Sequence, residues 1–400
     1  MLYERLIKPF LFKMDPEFVH DRATFFGCLI GSNPLTRWAL RLFYRYENPM
    51  LVQEVMGITF KNPIGLAAGF DKNCQLMRVI PCIGFGFEEV GSITAEPYAG
   101  NPKPRLVRLP KDQSIIVYYG LKNEGARVLS HRLLDGKKAK KFPIPIGVSV
   151  AKTNKDFSSM EAKIWDWVAG IHLLKACGDY MTINVSCPNT FDPLNFNEPR
   201  LLDRLLKRAA KEIDFEKPVF LKLSADVPPS QIDGIVSVCD KYSRKSGMPL
   251  ISGFILTNLV KDRGSVLLKS EKSEYAPYKG GLSGKPVAEK ALALTRYAYE
   301  NYGDKYIIIS CGGIFTAEDA YERIRNGATL LQLITGMIYG GPAVIKRINR
   351  GIVRLLERDG YAYVAEAVGS DCAPRWKGGQ AFLQGVRSMR QELKKKPACQ

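Results

Sequence analysis

The sequence predicts an α/β protein organised as a barrel of eight parallel strands, and three observations support that fold class. Between residues 60 and 370, short apolar runs that end in Gly, Ser, Thr or Asn alternate with stretches of helical period. There are eight such runs, and their spacing suits a TIM (β/α)8 barrel of about 250 residues or more. Neither a GxGxxG after the first strand nor a GxxxxGK[ST] occurs, which disfavours the alternative of a doubly wound sheet.

The eight apolar runs are the predicted barrel strands. They are bounded by turn-forming residues and separated by segments long enough for a helix. The predicted strands cover residues 63–68, 85–91, 144–151, 180–185, 219–223, 253–257, 306–311 and 329–334. Because catalytic groups in such barrels lie at the carboxyl ends of the strands, the site is expected there.

Residues 1–48 precede the barrel and are predicted to form amphipathic helices. Asp15-Pro16 and Asn33-Pro34 are N-cap signals, each followed by proline at the first helical position. Arginines then recur at helical spacing beside an apolar face: Arg37, Arg41 and Arg45 beside Leu35, Trp38 and Leu42. Two interpretations remain open at this point, a helical hairpin packed on its own core or a membrane-surface segment inserting Phe10, Phe12, Phe25, Phe26, Trp38 and Phe43.

We expect three segments: the helical segment 1–48, the barrel 49–371, and a basic tail 372–400 that is solvated and mobile.

Composition and charge narrow the class of protein. The net charge of +18 suits nucleic acid, acidic lipid or phosphorylated ligands, but no nucleic-acid-binding module is recognisable. Nine cysteines without a CxxC pair argue for a reducing compartment and against structural zinc. No apolar run is long enough to span a bilayer, and the start lacks a secretory signal.

Polar residues concentrate at the predicted strand ends, where a barrel would gather them at one mouth. They are Lys72, Ser92, Asn184, Ser186, Cys187, Lys222, Thr257 and Asn258. Cys187 is a candidate base or nucleophile, the alternative being a buried small apolar residue. Glycines at 280–284 and 312–313 are candidates for a phosphate site, the alternative being simple turns. The three histidines have no second ligand at metal spacing, so no metal site is expected.

Five motifs together resemble dihydroorotate dehydrogenase. They are Asn62-Pro-Ile-Gly-Leu-Ala-Ala-Gly-Phe-Asp-Lys72, Gly100-Asn-Pro-Lys-Pro-Arg105, Asn184-Val-Ser-Cys-Pro-Asn189, Gly280-Gly-Leu-Ser-Gly-Lys-Pro286 and Cys311-Gly-Gly313. The N-terminal segment is similar to that of the membrane-associated, quinone-using class 2 enzymes. The resemblance implies a TIM barrel that binds FMN through Ala67, Ala68, Gly69, Lys72, Ser92, Ser149, Asn184, Lys222, Thr257, Ser283, Gly284, Gly312, Gly313, Ile334 and Thr335.

The same resemblance implies an activity, the oxidation of (S)-dihydroorotate to orotate with quinone as electron acceptor in pyrimidine (UMP) biosynthesis. Cys187 stands at the base position, where class 2 enzymes usually have Ser and class 1 enzymes Cys. The implied substrate-binding positions are Lys72, Val117, Gly120, Leu121, Asn184, Asn189, Asn258 and Leu259. Of these, Val117 replaces a family asparagine and Leu259 a hydroxyl residue. His20 and Arg108 match a quinone tunnel.

The implied partners are dihydroorotate, a membrane quinone and an anionic lipid surface, with no nucleic acid. We expect a peripheral location on the cytoplasmic face of a bacterial inner membrane, the alternative being the cytoplasm. Because Val117 and Leu259 depart from the family pattern, two other functions are considered. They are an FMN-dependent dehydrogenase of a related dihydropyrimidine and a catalytically degenerate basic barrel scaffold.

Overall fold

The structure, a computed structural model, describes residues 3–138, 142–190 and 195–373. All but the first two residues of the predicted basic tail, 372–400, therefore lie outside the described residues. The strands are β1 (Gln53–Val55), β2 (Ile58–Phe60), β3 (Ile64–Leu66), β4 (Phe87–Ile93), β5 (Leu106–Leu109), β6 (Ser114–Val117), β7 (Ile146–Val150), β8 (Tyr180–Asn184), β9 (Val219–Leu223), β10 (Gly253–Leu256), β11 (Gly281–Gly284), β12 (Ile307–Cys311) and β13 (Leu330–Leu333).

The helices precede, connect and follow these strands. They are α1 (Lys8–Leu11), α2 (Pro16–Ser32), α3 (Pro34–Tyr44), α4 (Ala126–Lys138), α5 (Met160–Leu174), α6 (Pro199–Ala209), α7 (Pro229–Cys239), α8 (Lys272–Tyr275), α9 (Ala288–Tyr302), α10 (Ala317–Arg325), α11 (Thr335–Gly340), α12 (Val344–Asp359) and α13 (Val364–Ala367). A π-helical turn, Tyr3–Ile7, leads directly into α1.

Eight of the strands close a parallel barrel in the order β3-β4-β7-β8-β9-β10-β12-β13. Each lies within one of the eight predicted runs or extends it by no more than two residues, so the predicted TIM barrel is confirmed. A separate antiparallel sheet, β5-β6-β11, stands beside the carboxyl ends of the barrel strands and supplies part of the site. The β1-β2 hairpin pairs antiparallel just before the first barrel strand.

The lower interior of the barrel, at the amino ends of the strands, is filled by aromatic rings. Phe87 and Tyr180 point inward from β4 and β8, and Phe60 of the β1-β2 hairpin meets Phe87 edge to face at 5.3 Å. Glycines make room on the neighbouring strands, since Gly65 pairs with Phe87 and Gly147 with Tyr180. The amino end of the barrel is therefore closed by packed side chains.

One step further along the strands, the inward residues become polar. The Glu89 carboxylate accepts hydrogen bonds from the Thr182 hydroxyl and the Gln332 amide, both at 2.9 Å, and from the Tyr180 hydroxyl at 3.3 Å. All three donors reach Oε2 of a carboxyl that is fully buried, while its Oε1 has no hydrogen-bond partner among the described residues. The next inward residues form the floor of the cavity described below.

The N-terminal helices begin at the two predicted caps. The Asp15 carboxylate accepts from the Phe18 amide at 2.8 Å, and the Asn33 side chain accepts from the Leu35 amide at 2.8 Å. Five of the six aromatics singled out in this segment are 54–67% exposed: Phe10, Phe25, Phe26, Trp38 and Phe43. This exposure favours a membrane-surface segment over a hairpin packed on its own core, and Ile30 and Leu40 are the side chains that pack against the barrel.

Phe12 differs from the other aromatics of the segment. Its ring packs edge to face on Tyr339 at 5.1 Å and lies beneath the Arg108 guanidinium, so the expectation that it inserts in a membrane is wrong. Among the described residues, no helix is long and apolar enough to cross a membrane. The same residues show no cluster of three or more side chains fit to hold a metal ion, and the eight described cysteines are free thiols.

The pairing of Gly147 with Tyr180 generates a test of the barrel packing. A Cβ at position 147 would overlap the Tyr180 ring. We expect Gly147→Ala to lower the free energy of unfolding by about 1–3 kcal/mol, because the ring has no space to retreat in a filled interior. Thermal or urea unfolding measures this change. Gly264→Ala, in an exposed loop with its nearest atom at 3.4 Å, is the matched control, and equal stability of the two variants would contradict the packing argument.

Candidate active site

The carboxyl ends of the barrel strands surround two adjoining cavities. The larger encloses about 930 Å³, a figure that includes the solvent at its open mouth. It is lined by Ala68, Gly69, Lys72, Ser92, Val117, Gly120, Leu121, Asn184, Cys187, Asn189, Asn258, Leu259 and His20, among others. The second is lined by Ala67, Lys222, Thr257, Gly284, Gly312 and Gly313. Ala68, Asn258, Leu259, Ser283, Ile334 and Thr335 line both, so the two form one continuous space.

The second cavity has the form of a cradle for a phosphate group. Gly312 and Gly313 follow β12 with φ of 115° and 76°, a backbone that favours glycine. A Cβ at Gly313 would collide with Ala288, so the backbone there is bare and close to its neighbours. The Thr335 hydroxyl donates to the Ser283 hydroxyl at 2.9 Å on the facing wall. Bare amides and hydroxyls of this kind are the usual protein ligands of phosphate.

Lys222 supplies a buried positive charge between the cradle and the larger cavity. The side chain points inward from β9 and is 4% exposed, yet no described residue accepts a hydrogen bond from its ammonium group. A buried cation without a protein partner calls for a ligand with acceptor atoms or negative charge. A flavin that carries a phosphate meets both needs, so the residues present fit such a cofactor.

Three asparagines from two strand ends, those of β8 and β10, converge on the larger cavity. The Asn184 amide donates to the Ser92 hydroxyl at 2.8 Å, and the Asn258 amide donates to the Ser186 hydroxyl at 3.0 Å. Asn189 accepts from the Gly281 amide at 3.2 Å, which anchors its loop to β11. The Asn258 amide also donates to Asn184 Oδ1 at 3.4 Å, so these contacts fix the side-chain orientations at the cavity wall.

Lys72 faces the same cavity and is held by a helix of the N-terminal segment. Its ammonium donates to Nε2 of His20 on α2 at 2.7 Å and lies 4.1 Å from the centre of the Tyr119 ring. Burial, together with the Lys72 and Lys122 charges, lowers the pKa of His20 to about 3, so the imidazole stays neutral and accepts. Burial also lowers the pKa of Lys72 to about 8.

Cys187 lies between the asparagines at the end of β8. Desolvation inside the cavity raises its pKa to about 11, although the Asn189 amide and the Lys152 charge act in the opposite direction. The resting side chain is therefore a neutral thiol at physiological pH. A ligand that brings positive charge close to the sulfur would favour the thiolate.

The family departures lie together on one wall of the cavity. Val117 ends β6 opposite Gly281, and Leu259, which follows Asn258, lies beside the same glycine. Gly120 has a φ of 66°, and a Cβ there would strike the Asn101 side chain, so the turn has no room for a larger residue. The following residue, Leu121, also has positive φ, at 70°. The wall is thus apolar at two positions where the resemblance implies polar groups.

Two predicted site residues do not line these cavities. Ser149 is fully buried behind Ser92, and their hydroxyls share a hydrogen bond of 2.7 Å. Arg108 lies beneath α1, where its guanidinium donates to the Met14 carbonyl at 2.8 Å and covers the Phe12 ring. Ser149 therefore supports a lining residue, and Arg108 stands at the base of the N-terminal helices.

Several residues of the site were missed by sequence reasoning, and three of them carry aromatic or charged side chains that matter to its chemistry. Phe70 and Tyr119 form aromatic walls beside Lys72, and Lys152 brings a buried charge near Cys187. Lys152 follows β7 directly, so the strand-end criterion that found the other polar residues applied to it as well. Phe70 follows Gly69, and Tyr119 precedes Gly120. Their position next to these two predicted site residues was the only sequence signal that could have identified them.

The chain is similar to proteins of known name over most of its length. The family model for dihydroorotate dehydrogenase matches residues 50–356. A relative from Nitratiruptor sp., named dihydroorotate dehydrogenase (quinone), is 38% identical over 91% of this chain and 98% of its own. One of the same name from Mycolicibacterium smegmatis is 38% identical over 92% and 99%. The crystal structure of an Eimeria tenella DHODH in complex with ferulenol superimposes with a TM-score of 0.78 at 30% identity, covering 89% of this chain and 96% of that one.

Fold, cavities and comparisons define a barrel oxidoreductase of the flavin-dependent class. The chain belongs to the dihydroorotate dehydrogenase family, and its similarity over more than nine-tenths of its length is to the quinone-dependent, class 2 members.

The raised pKa of Cys187 is open to direct measurement. We expect iodoacetamide to modify exposed Cys28 first and Cys187 slowly, because with a pKa of about 11 only about one thiol in a thousand is ionised at pH 8. The Cys187 rate should rise about tenfold for each pH unit between 7 and 10. Peptide mass spectrometry resolves the two sites, and Cys28→Ser leaves only the slow one. Modification of Cys187 at the rate of Cys28 at pH 7.5 would contradict the assignment.

Proposed function

We propose that this chain oxidises (S)-dihydroorotate to orotate in pyrimidine biosynthesis, with FMN as its flavin and a membrane quinone as electron acceptor. The observation that carries the proposal is the single space in which a phosphate cradle and a set of convergent amides meet. Its relatives of similar length are named dihydroorotate dehydrogenase (quinone). No observation favours a different dihydropyrimidine, and the retained cradle opposes a degenerate scaffold.

FMN is supported by what the second cavity offers. Gly284, Gly312, Gly313, Ser283 and Thr335 would hold its phosphate, and Lys222 would place positive charge beside the ring system. A bound flavin supplies a two-electron acceptor for the hydride that leaves the substrate. Ser92, held by Ser149 and Asn184, adds a hydroxyl at the floor where the two cavities meet.

The larger cavity suits an anionic dihydropyrimidine. The ammonium of Lys72 pairs with a carboxylate, and the amides of Asn184, Asn189 and Asn258 bind the ring carbonyl and N–H groups. Cys187 takes the proton from the carbon next to a ring carbonyl once its thiol has ionised. Val117 contributes no hydrogen bond, so the three asparagines and Lys72 orient the substrate.

A quinone approaches from the N-terminal segment in this proposal. His20 of α2 forms part of the cavity wall, and Arg108 lies a short way off beneath α1, among Phe12, Tyr339 and Tyr3. This path joins the cavity to the surface where apolar side chains are exposed. An aromatic and cationic lining suits the flat, polar-edged headgroup of a quinone.

The exposed apolar face of α2 and α3 supports peripheral attachment to a membrane. Phe25, Phe26, Trp38 and Leu42 project from the two helices, and the arginines of α3 flank them. We place the chain on the cytoplasmic face of a bacterial inner membrane, where anionic lipids attract its net charge of +18.

Anaerobic reduction tests the proposed activity. The purified protein should be yellow, and L-dihydroorotate should bleach the flavin absorbance near ~450 nm. Added quinone should then restore the colour. A yellow protein that keeps its absorbance with dihydroorotate would overturn the substrate, and a colourless protein that takes up no FMN would overturn the cofactor.

Cys187→Ser tests the proton-accepting residue. A serine hydroxyl is a weaker acid than a thiol, so we expect flavin bleaching to slow by about 100-fold and its pH optimum to move upward. Stopped-flow absorbance between pH 6 and 10 measures both changes. Cys372→Ser, remote from both cavities, should match the wild type. A rate–pH profile unaltered by Cys187→Ser would assign the proton to another group.

Lys72→Arg tests the role of the ammonium in substrate and product binding. With a pKa of about 8, Lys72 is charged below pH 8 and becomes neutral above it. Orotate affinity in the wild type should therefore fall as pH rises from 7 to 9, with the steepest loss above pH 8. An arginine stays charged over this range, so the variant should show a flat profile in flavin-monitored titrations. The same fall in both proteins would exclude Lys72 as its origin.

A further inference from the structure

A third cavity lies at the closed end of the barrel, away from the proposed active site. It is bounded by the end of α3 and by the turn between β2 and β3, and its volume is about 600 Å³. Three cationic side chains line it: Arg41, Arg45 and Lys61. Pro81, Phe85 and Ile144 provide an apolar floor. Cations above an apolar floor suit an amphipathic anion better than a small hydrophilic one.

The charges of this cavity are only partly neutralised within the protein. Arg45 forms an ion pair with Glu47. The Arg41 and Lys61 side chains make no ion pair or hydrogen bond with any described residue. Arg37, one turn earlier on α3, differs because its guanidinium donates to the Gly31 carbonyl at 2.7 Å. Two cations are therefore open to an external anion at a fixed position.

Helix geometry places these cations at the border of the exposed apolar face. Arg41 follows Trp38 by three residues and Arg45 follows Leu42 by three, so each arginine lies beside an exposed apolar side chain on α3. If that face enters a bilayer, the arginines reach the level of the headgroups. The cavity that Arg41 and Arg45 line then lies within reach of lipid phosphates.

We propose that this cavity binds the phosphate of an anionic phospholipid, with Arg41 and Lys61 as its principal partners. The inference rests on the proposed membrane attachment and adds to it a defined lipid site. The acyl chains would lie along Trp38 and Leu42, which distinguishes a lipid from free phosphate. Lys61 lies outside α3. A general attraction of the helix for the membrane therefore does not require Lys61, whereas a headgroup-binding cavity does.

A soluble short-chain lipid tests the site without a bilayer. Dihexanoylphosphatidylglycerol, below its micelle concentration, should bind the full-length holoenzyme saturably in calorimetric or NMR titrations. We expect Lys61→Gln to weaken binding about fivefold, the effect of one cation near a lipid phosphate, and Arg41→Gln at least as much. Lys207, which is exposed on α6 and lies outside the cavity, provides the matched control: Lys207→Gln should bind the lipid as the wild type does. Flavin bleaching should be unchanged in all three variants.

Three results would overturn the lipid site. They are wild-type affinity in Lys61→Gln, equal binding of neutral dihexanoylphosphatidylcholine, and full displacement of the lipid by an equal concentration of inorganic phosphate. Vesicle flotation separates this inference from the proposed membrane attachment. If the wild-type protein fails to float with either neutral or phosphatidylglycerol vesicles, the attachment is refuted. If it floats equally with both, the lipid site alone is refuted.

Discussion

The filled lower half of the barrel is the constraint on which the site depends. Strand geometry sends alternate residues inward, so each strand contributes one residue to the lower interior and another above it. Phe87 and Tyr180 occupy the lower level with glycines opposite them, which closes the amino end. Inward polar side chains are then accessible only from the carboxyl end. The cavity, its asparagines and Lys222 all follow from that closure.

Glu89 connects the closed half with the open one. One oxygen of its carboxylate accepts from donors on β8 and β13, and the next inward residues on those strands make no contact with it. Asn184 and Ile334, two residues beyond these donors, then line the cavity. Hydrogen bonds from a buried polar group to neighbouring strands fix the strand register, because a slip of one residue would move the carboxylate away from its donors and into an apolar layer.

The fold was predictable from sequence to an unusual degree, and the site less so. Eight apolar runs with helices between them permit few arrangements, and every run contributed its strand. Helical periodicity placed α2 and α3 but left their apolar face unassigned, because protein core and lipid select the same pattern. Sequence pattern cannot distinguish Phe12 from the exposed aromatics of that segment, because the difference is its packing against Tyr339 in the folded structure.

The candidate site shows the same division between local pattern and tertiary contact. Strand ends located Lys72, Asn184 and Cys187 because position along a strand decides which end of the barrel a residue occupies. Tyr119 belongs to the turn after β6, outside the barrel, and no local pattern connects it with Lys72. Ser149 was implied as a flavin-binding residue and faces inward, yet Ser92 lies between it and the cavity.

The contact between Lys72 and His20 gives α2 two roles, since one face of the helix closes the cavity and another presents Phe25 and Phe26 to the surroundings. Whatever covers those rings in solution also bears on the helix that holds the substrate-facing ammonium. If lipid or detergent covers the rings, its removal changes the surroundings of a helix that also bounds the cavity. Self-association through the bare rings would press on α2 and change substrate affinity with protein concentration, as a regulatory subunit does.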